Sequence, residues 1–387
     1  MEYDIIVVGA GFAGSTVAYN AAKSGKRVLL LEKRAHIAGN MYDYKNELGI
    51  LVQKYGPHSF HTNNERVYNF IKTLGDWKEF ILKARVMIDG KTTPSPFNLK
   101  TVDDFFIFEK ANEIKEHLKM QYGDAKKTTI VEMLESNDEI VREYANFLFE
   151  KDYKPYTAKQ WSIDPEELDI SVLKRVPVRL DYTDGYFDDK YQLIPESSFT
   201  EIFENMLSDD LIDVRLSCDA LKHLKIVGNL LYFDGEAVNI PVVYTGPIDE
   251  LFNCCYGELP YRSLFFDLKI FDKDSYQETP GVAYPIGVDF TRITEFKKIP
   301  PQKVDGVTTV AFEYPVQYGS DKGNEPYYPI LTEASLALYN QYSKTADTIK
   351  NLVLCGRLAE FKYYNMDQVI ERALDIFYLI NKLYWSH

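Results

Sequence analysis

The sequence predicts an α/β fold, and three observations lead to that prediction. First, an apolar strand near the start of the chain ends in Gly9-Ala10-Gly11-Phe12-Ala13-Gly14, and an alanine-rich helix follows. Second, another apolar run, at 28–31, ends in Glu32. Third, the pattern of a strand followed by a helix recurs near the carboxyl terminus, with an apolar strand at 351–356 and an amphipathic helix at 366–383. A strand, a glycine-rich turn, a helix and a second strand that ends in an acid form the Rossmann-like βαβ unit, which binds a dinucleotide.

The residue types of this opening unit each meet a separate requirement of dinucleotide binding. Gly9 permits the tight turn out of the strand, Gly11 lets the backbone approach the pyrophosphate, and Gly14 allows close packing of helix on strand. The amino end of the helix offers free N–H groups to the phosphates. The carboxylate of Glu32 can accept both ribose hydroxyls and would repel a 2′-phosphate. The candidate cofactor-binding residues of the unit are Gly9, Gly11, Phe12, Ala13, Gly14 and Glu32.

The composition is that of an ordinary globular chain and excludes several classes of protein. Of the 387 residues, 45% are hydrophobic and 26% are charged. No apolar run is long enough to span a membrane, and the amino terminus lacks the parts of a signal peptide. The net charge of −14 argues against general binding to nucleic acid or to anionic membranes. The four cysteines lack metal-binding spacing, so we expect free thiols, no metal site and a cytoplasmic location.

The pattern changes twice in the middle of the chain. Residues 36–65 form a connection that is rich in Gly, His and Asn. Apolar residues then recur at spacings of three and four over 104–150, which predicts helices. After these helices, runs bounded by Pro, Gly and Asp predict short strands at 176–180, 230–233, 242–244, 264–270 and 308–314.

The return to a strand and a helix at the carboxyl terminus favours FAD over NAD as the cofactor. A domain that binds a nicotinamide cofactor does not need this last strand and helix. In a flavin domain the last strand completes the sheet, and the N-terminus of the last helix points at the flavin. Gly356-Arg357, followed by Asn365-Met366-Asp367 and a helix, has that form. The segment that ends in Gly39-Asn40 also resembles the glycine pair that follows the first βαβ unit of such flavoproteins. Further candidate cofactor-binding residues are therefore Lys33, Gly39, Asn40, Gly356, Arg357, Asn365, Met366 and Asp367.

Additional motifs follow one another along almost the whole chain. They are 55–62 (YGPHSFHT), 156–161 (YTAKQW), 174–179 (KRVPVR), 186–187 (YF), 244–249 (YTGPID), 291–295 (TRITE), 327–330 (YYPI) and 363–367 (YYNMD). In this order they resemble the UDP-galactopyranose mutase family of the bacterial type. Several motifs in one order are far more specific than a single glycine fingerprint.

This resemblance implies a reaction without net redox change. Members of the family interconvert UDP-galactopyranose and UDP-galactofuranose with FAD that is active in its reduced form. By resemblance, N5 of the reduced flavin attacks the anomeric carbon and expels UDP, the ring opens in a covalent flavin–sugar adduct and recloses through a different hydroxyl, and UDP returns. A homodimer, a UDP-sugar substrate and a role in cell-surface polysaccharide assembly are implied on the same basis.

The resemblance also implies the division into domains. We expect an FAD-binding Rossmann-like domain assembled from separated stretches, an inserted helical domain and an antiparallel β-sheet domain, with the UDP-sugar held over the flavin between them. The expected bounds are 1–75, 205–250 and 345–387 for the FAD domain, 100–160 for the helical domain, and 76–99, 165–204 and 251–344 for the sheet domain.

By resemblance, two arginines and two histidines have roles at the reacting centre. Arg175 and Arg292 match the family's pair that binds the diphosphate and stabilises the departing UDP. Arg175 lies within 162–178, which in the family forms a loop that closes over the substrate. His58 is placed in the cofactor environment. His61 is placed against the flavin, as a candidate for tuning it or contacting the sugar.

Aromatic residues complete the substrate site that the resemblance implies. Tyr156 and Trp161 are placed beside the uridine and the sugar-nucleotide cleft. Tyr186, Tyr328 and Tyr363 would donate hydrogen bonds from their hydroxyl groups to the phosphates, since phenols bind phosphate without adding charge.

Two segments depart from the family pattern and leave the hexose open. Asn365 stands where bacterial relatives commonly carry Asp, so a hydrogen-bonding group is kept near the anionic ligand but a charge is lost. We expect this change to alter affinity or flavin potential. The segment 281–290 is shorter than the family pattern and different from it. UDP-galactose is the favoured substrate, and an N-acetylated or otherwise modified UDP-hexose is the alternative.

Two other functions are compatible with the cofactor fold. A conventional FAD oxidoreductase, such as an amine oxidase or a desaturase, shares that fold. A non-catalytic flavoprotein or sugar-nucleotide binder would be expected to have lost the arginines or the glycine turn. Arg175 and Arg292 favour the mutase, because an oxidase of neutral or cationic substrates has no use for a diphosphate clamp.

Overall fold

Strands and α-helices follow one another along the chain, with single turns of 3-10 or π helix between some of them. The computed structural model describes residues 2–161, 173, 177–319 and 323–385. In chain order the described strands are β1 (Ile5–Val8), β2 (Val28–Leu31), β3 (Asp43–Lys45), β4 (Leu51–Gln53), β5 (Phe60–Thr62), β6 (Trp77–Glu79), β7 (Ala84–Ile88), β8 (Lys91–Ser95), β9 (Lys127–Thr129), β10 (Pro177–Arg179), β11 (Tyr191–Pro195), β12 (Ile212–Arg215), β13 (Leu224–Val227), β14 (Leu230–Phe233), β15 (Glu236–Ala237), β16 (Val242–Tyr244), β17 (Tyr261–Phe271), β18 (Gly281–Ala283), β19 (Arg292–Glu295), β20 (Thr308–Gln317), β21 (Tyr328–Pro329) and β22 (Leu352–Leu354). The α-helices are α1 (Phe12–Lys23), α2 (Glu65–Lys72), α3 (Leu99–Phe105), α4 (Phe108–Tyr122), α5 (Ile130–Leu134), α6 (Glu139–Leu148), α7 (Lys154–Trp161), α8 (Phe199–Leu207), α9 (Ile248–Leu251), α10 (Glu333–Ala346) and α11 (Met366–Ile380).

A parallel sheet forms the centre of the molecule, with its strands in the order β12, β2, β1, β16 and β22. Helices cover both faces, because parallel strands are stable when both faces are buried. α1, α8 and α11 pack on one face, and α9 and α10 on the other. The predicted Rossmann-like α/β unit is thereby confirmed, including its return at the carboxyl terminus. The last helix ends earlier than predicted, since α11 stops at Ile380 and a π-helical turn follows.

The direction of the strands brings distant parts of the sequence together. The carboxyl ends of parallel strands lie at one edge of a sheet, so the turns that follow them meet there. Gly9 follows β1, Glu32 follows β2, Thr245 follows β16, and Gly356 comes soon after β22. These four turns outline the candidate site.

A second sheet, of seven strands, has the order β21, β17, β20, β19, β18, β7, β8. Its neighbouring strands are antiparallel except for β18 and β7. The predicted antiparallel sheet is therefore confirmed, with one parallel pair. The strands predicted at 230–233 and 242–244 occur as predicted, whereas those predicted at 264–270 and 308–314 are parts of the longer β17 and β20.

Helices α3 to α6 surround an apolar core of their own, which includes Ile114, Tyr144 and Leu148. The prediction of continuous helical pattern over 104–150 was wrong at one point, because β9 interrupts it. β9 is extended since it pairs with β10, across the register Val178 to Thr128. β10 is the strand predicted at 176–180, of which Val176 lies outside the described residues.

The connection predicted at 36–65 also contains short strands. β3 pairs with β4, and β5 pairs with β11, which buries Phe60 and Thr62. His61 therefore lies within strand β5, although the composition of 36–65 predicts a connection there. Pairing with a partner more than a hundred residues away overrides the loop-like composition of this segment.

The domain bounds given above stay a prediction. Among the described helices, none combines the length and the apolar character that crossing a membrane requires.

Candidate active site

A deep cleft lies at the edge of the parallel sheet where the carboxyl ends of its strands meet. It contains about 1370 Å³ of empty space, counting the part that is open to solvent. Gly14, His61 and Asp367 are not among the described residues that line it. The predicted cofactor-binding residues that do line it are Gly9, Gly11, Phe12, Ala13, Glu32, Lys33, Gly39, Asn40, His58, Gly356, Arg357, Asn365 and Met366.

The glycine turn has the geometry that close approach of a phosphate requires. Gly9 has a φ of +99°, and a Cβ there would lie 2.1 Å from Oγ1 of Thr245. A Cβ on Gly14 would lie 1.9 Å from the carbonyl oxygen of Gly9, so this glycine is needed for packing of α1. Gly11 differs, because a Cβ there would meet only the Cα of Gly39, at 3.8 Å. The space over Gly11 is thus open toward the cleft.

The amino end of α1 points its free N–H groups into this space. The described side chains provide no cap for α1, and its first turn contains no acidic residue. An uncapped helix N-terminus carries a partial positive charge and unsatisfied donors, which suits a pyrophosphate.

Glu32 is fixed at the end of β2 by the backbone. Its side chain is buried, Oε2 accepts the N–H of Ala10 at 2.8 Å, and Oε1 accepts the N–H of Arg34 at 2.8 Å. A carboxylate oxygen can accept more than one hydrogen bond, so the fixed group keeps acceptor capacity for ribose hydroxyls.

His58 presents a neutral imidazole to the cleft. Gln53 holds the backbone of His58, donating from Nε2 to its carbonyl at 3.1 Å. Burial lowers the pKa of His58 to about 4, and the positive charge of Arg357 contributes. Its Nδ1 is buried without a hydrogen-bond partner among the described residues, although the ring lines the cleft. An orphaned buried nitrogen of this kind indicates a ligand atom opposite it.

The opposite wall of the cleft comes from the carboxyl-terminal return. Arg357 donates from its two terminal nitrogens to the carbonyls of Tyr327 and Tyr364, at 3.0 and 2.5 Å, which fixes the guanidinium. α11 begins at Met366, and the Gln368 side chain accepts the N–H of Asn365 at 2.9 Å. A second helix N-terminus is therefore directed at the cleft. These features together fit the FAD predicted from the sequence.

Beside the cleft, a partly exposed arginine and a buried glutamate form an ion pair. Arg292 on β19 lies opposite Glu313 on β20, and a terminal nitrogen of Arg292 is 2.5 Å from Oε2 of Glu313. Burial opposes the charge of Arg292, but Glu313 raises the pKa of Arg292 overall, so the guanidinium stays charged. Burial also raises the pKa of the Tyr156 phenol, which therefore remains a hydrogen-bond donor. Tyr186 lies within electrostatic range of Arg292.

A row of alternating aromatic and cationic groups extends from the cleft, where Tyr328 and Arg357 lie, to Trp161. The guanidinium of Arg262 lies 5.7 Å from the ring centre of Trp161 and 5.2 Å from that of Tyr328. Arg357 lies 4.6 Å from the same Tyr328 ring, and Tyr328 stacks on Tyr363 with 5.3 Å between ring centres. Three predicted substrate residues, Trp161, Tyr328 and Tyr363, thus lie beside two guanidiniums, and one of these belongs to Arg262, which was not predicted.

The side chain of His61, on β5, is held by a carboxylate and by an aromatic ring. Its Nδ1 is 2.8 Å from Oδ2 of Asp189, and its ring stacks on Phe187 at 3.6 Å. Asp367 accepts a hydrogen bond from Thr62, the residue after His61, at 2.9 Å. A carboxylate on Nδ1 orients the imidazole, while contact of His61 with a flavin stays a prediction.

Two predicted features concern segments near α7. Arg175 and most of 162–178 lie outside the described residues. The segment 281–290 is described, and Lys159 on α7 donates to the carbonyls of Tyr284 and Phe290 at 2.6 and 3.3 Å. These hydrogen bonds join the segment 281–290, which was predicted to depart from the family pattern, to the helix that contains Tyr156 and Trp161.

Comparison with known sequences identifies the family. The family model described as UDP-galactopyranose mutase matches residues 151–363, which is more than half of the chain. The UDP-galactopyranose mutase of Mycoplasma pneumoniae is 34% identical over 96% of this chain and 95% of its own length. The chain belongs to the UDP-galactopyranose mutase family. A second model, of an NAD(P)-binding Rossmann-like domain, matches residues 7–74.

Two further relatives of this chain are named for different sugar nucleotides. The UDP-galactopyranose mutase of Mycoplasma genitalium is 35% identical over 95% of this chain and 92% of its own length. A dTDP-fucopyranose mutase of Escherichia coli is 31% identical over 96% of this chain and 96% of its own length. The family depends on FAD, so the predicted cofactor is confirmed, and the chain is an enzyme of this family.

Solved structures share the fold across different reactions. A reduced UDP-galactopyranose mutase matches with a TM-score of 0.71 at 14% identity, over 99% of this chain and 96% of its own. Putrescine oxidase with bound putrescine matches with a TM-score of 0.56 at 13% identity, over 99% of each chain. At these identities the likeness establishes the fold alone, so the reaction has to be argued from the site.

The sequence analysis missed Glu313 as well as Arg262. Glu313 is the single charged residue of β20, and Arg262 shares β17 with two other charged residues, Asp267 and Lys269. A charged residue that is buried in a sheet is rare unless it is paired or functional, and this was the signal available in the sequence. The pairing of Glu313 with Arg292 depends on strand register, which the sequence did not provide.

Proposed function

We propose that the chain is a flavin-dependent mutase that interconverts the pyranose and furanose forms of UDP-galactose, without net redox change. The observation that carries this proposal is the charged Arg292, held by Glu313 among tyrosines beside the cofactor cleft. A positioned guanidinium with phenol donors suits a diphosphate leaving group. An oxidase of neutral or cationic substrates would gain nothing from these groups.

The cofactor and the protein divide the chemistry. When it is bound and reduced, FAD would supply the nucleophile for the anomeric carbon as the bond to UDP breaks, and the glycine turn after β1, Glu32 and Arg357 would hold the cofactor. Arg292, together with Arg175, binds the diphosphate and stabilises the charge that develops on departing UDP. Tyr328 and Tyr363 donate to the phosphates, and Tyr186 does so from the side of Arg292.

The other predicted residues orient the two ligands. Tyr156 and Trp161 bind the uridine, and the amide of Asn365, at the start of α11, binds sugar hydroxyls. His58 faces the flavin as a neutral imidazole and can donate or accept one hydrogen bond through Nδ1. His61, oriented by Asp189, lies near the reacting centre and tunes the flavin or contacts the sugar.

A second substrate is favoured by one relative and by two features of this chain. The dTDP-fucopyranose mutase at 31% identity acts on a different base and a different sugar. Asn365 replaces a charge near the ligand, and Lys159 ties the divergent segment 281–290 to the substrate helix α7. dTDP-fucose is therefore the second candidate, ahead of other modified hexoses.

The test is chromatographic separation of pyranose and furanose nucleotides after incubation with the FAD-loaded protein. UDP-galactofuranose and dTDP-fucopyranose are each supplied with and without dithionite. Conversion of UDP-galactofuranose only under reducing conditions is expected. Conversion of the fucose nucleotide alone would reassign the substrate. If the protein is a reducible flavoprotein but converts neither nucleotide, and if it consumes oxygen in the presence of an amine, the proposal of a mutase is wrong and an oxidase is the better assignment.

The assembly and the location of the protein belong to the proposal too. A homodimer in the cytoplasm, supplying furanose units to cell-surface polysaccharide, rests on the family resemblance. Light scattering coupled to gel filtration measures the mass in solution, and a monomer at micromolar concentration would contradict the dimer.

A further inference from the structure

Arg262 occupies a position that the proposed reaction has so far left without a role. It lies on β17 directly opposite Tyr328 of β21, and the N–H of Tyr327 donates to its carbonyl at 2.9 Å. Its guanidinium is placed between the rings of Trp161 and Tyr328, at 5.7 and 5.2 Å from their centres. The side chain is therefore fixed in direction by strand pairing and by two aromatic contacts.

Arg262 differs from several other arginines of the structure because no carboxylate balances its charge. Arg34 pairs with Glu325 at 2.8 Å, Arg85 with Asp184 at 2.6 Å, and Arg292 with Glu313 at 2.5 Å. For Arg262, no carboxylate of the described residues lies within ion-pair distance. Burial lowers the pKa of Arg262, as expected when water is removed from a charge without a fixed counter-charge.

A second uncompensated guanidinium shares the same aromatic ring. Arg357 lies 4.6 Å from the centre of Tyr328 and bonds backbone carbonyls rather than a carboxylate. Two cations close to one ring repel each other, and an anion between or beside them relieves that repulsion. This is a local excess of positive charge in a chain whose net charge is −14.

We propose that Arg262 binds the diphosphate of the sugar nucleotide and supplies the uncompensated charge that attracts this ligand, with Trp161 and Tyr328 holding the guanidinium in place. The inference rests on the proposed function and deepens it. Arg292 then acts differently, because its pairing with Glu313 largely cancels its attraction for the free ligand. Arg262 governs ground-state affinity, and Arg292 governs stabilisation of the leaving group during reaction.

The experiment measures UDP binding to the oxidised, FAD-loaded protein by calorimetry, and dTDP binding in parallel. Arg262→Met is expected to weaken UDP binding about ten- to a hundredfold, the effect of one charged hydrogen-bonding group. The value of KM should rise by a similar factor in the mutase assay while kcat changes little. Arg27→Gln, which removes an exposed arginine at the amino end of β2, is the charge-matched control and should bind UDP as the wild type does.

Arg262→Lys separates charge from packing. Lysine and methionine have similar length, but only lysine keeps the charge, so the Lys variant should bind UDP more tightly than the Met variant and less tightly than the wild type. Equal affinities of the Met and Lys variants, at unchanged FAD content, would overturn the inference. Wild-type affinity in Arg262→Met would overturn it while leaving the proposed function intact. Failure of the wild-type protein to bind UDP or dTDP would overturn both.

Discussion

Arg292 combines a fixed position with a persistent charge, because Glu313 holds it and raises its pKa. We expect Arg292→Met to lower kcat/KM about a hundred- to a thousandfold, the size of effect that follows loss of a group stabilising transition-state charge. FAD content should not change, since Arg292 is not among the described residues that line the cleft. Steady-state kinetics with the nucleotide separation described above measures this. A variant that keeps its activity would remove Arg292 from the site.

His58 makes the stability of the FAD-free protein depend on pH. Its pKa is about 4 in the folded chain and takes its ordinary value of 6.5 when the chain unfolds. Between these two pH values the unfolded chain binds more protons, so the free energy of unfolding falls as the pH is lowered from 6.5 toward 4. The loss attributable to His58 is at most about 3 kcal/mol. Urea unfolding at several pH values measures it, and His58→Gln should show a shallower decline; identical slopes would contradict the assignment.

At the scale of elements, two glycines at the start of α1 have different roles, one in ligand binding and the other in folding. A Cβ on Gly11 enters open space, whereas a Cβ on Gly14 would strike the Gly9 carbonyl. Gly11→Ala should therefore keep the melting temperature of the FAD-free protein and weaken FAD binding at least about tenfold, because the methyl group occupies the position of the pyrophosphate. Gly14→Ala should lower the melting temperature itself. Thermal unfolding and flavin titration of both variants decide this, and a Gly11→Ala protein with normal flavin affinity would contradict it.

Elements that depend on local sequence were predictable, and those that depend on pairing partners were not. Gly9, Gly14 and Glu32 lie within one βαβ unit, so their spacing alone indicates their roles. The strand that contains His61 forms because residues of β11, far along the chain, supply its hydrogen bonds. A three-residue strand has too little periodicity to be recognised in a sequence.

The residues of the candidate site also divide into those that local sequence predicts and those that depend on strand pairing. The cleft residues came from local motifs and a helix start, and most of them line the cleft. Arg262 and Glu313 belong to the site only because β17 and β20 are paired with β21 and β19. A charged residue in a largely apolar strand such as β20 indicates that a partner or ligand neutralises it but does not identify that partner, so the surroundings of Glu313 and Arg262 could be found only in three dimensions.

At the scale of the whole molecule, the cleft joins the two ends of the chain. α1 and α11 share one apolar core, and β1 and β22 both flank β16 in the central sheet. A ligand in the cleft touches turns from both termini and from the loop before β21. Its binding should therefore stabilise segments that are hundreds of residues apart in sequence, as one unit.

Hydrogen exchange with and without FAD tests this coupling. The amides of residues 9–14, 38–41, 245–246 and 356–366 should gain protection together, because each segment contributes to the cleft lining. At a hundredfold excess of FAD over its dissociation constant, the expected stabilisation is about 2.7 kcal/mol. α4 contributes nothing to that lining and serves as the internal control. Gly11→Ala, whose affinity for FAD is expected to be at least about tenfold weaker, should retain at most about 1.4 kcal/mol of this stabilisation at the same FAD concentration. Protection confined to residues 9–14 would mean that the carboxyl-terminal return does not share the ligand, and would contradict the assembled cleft.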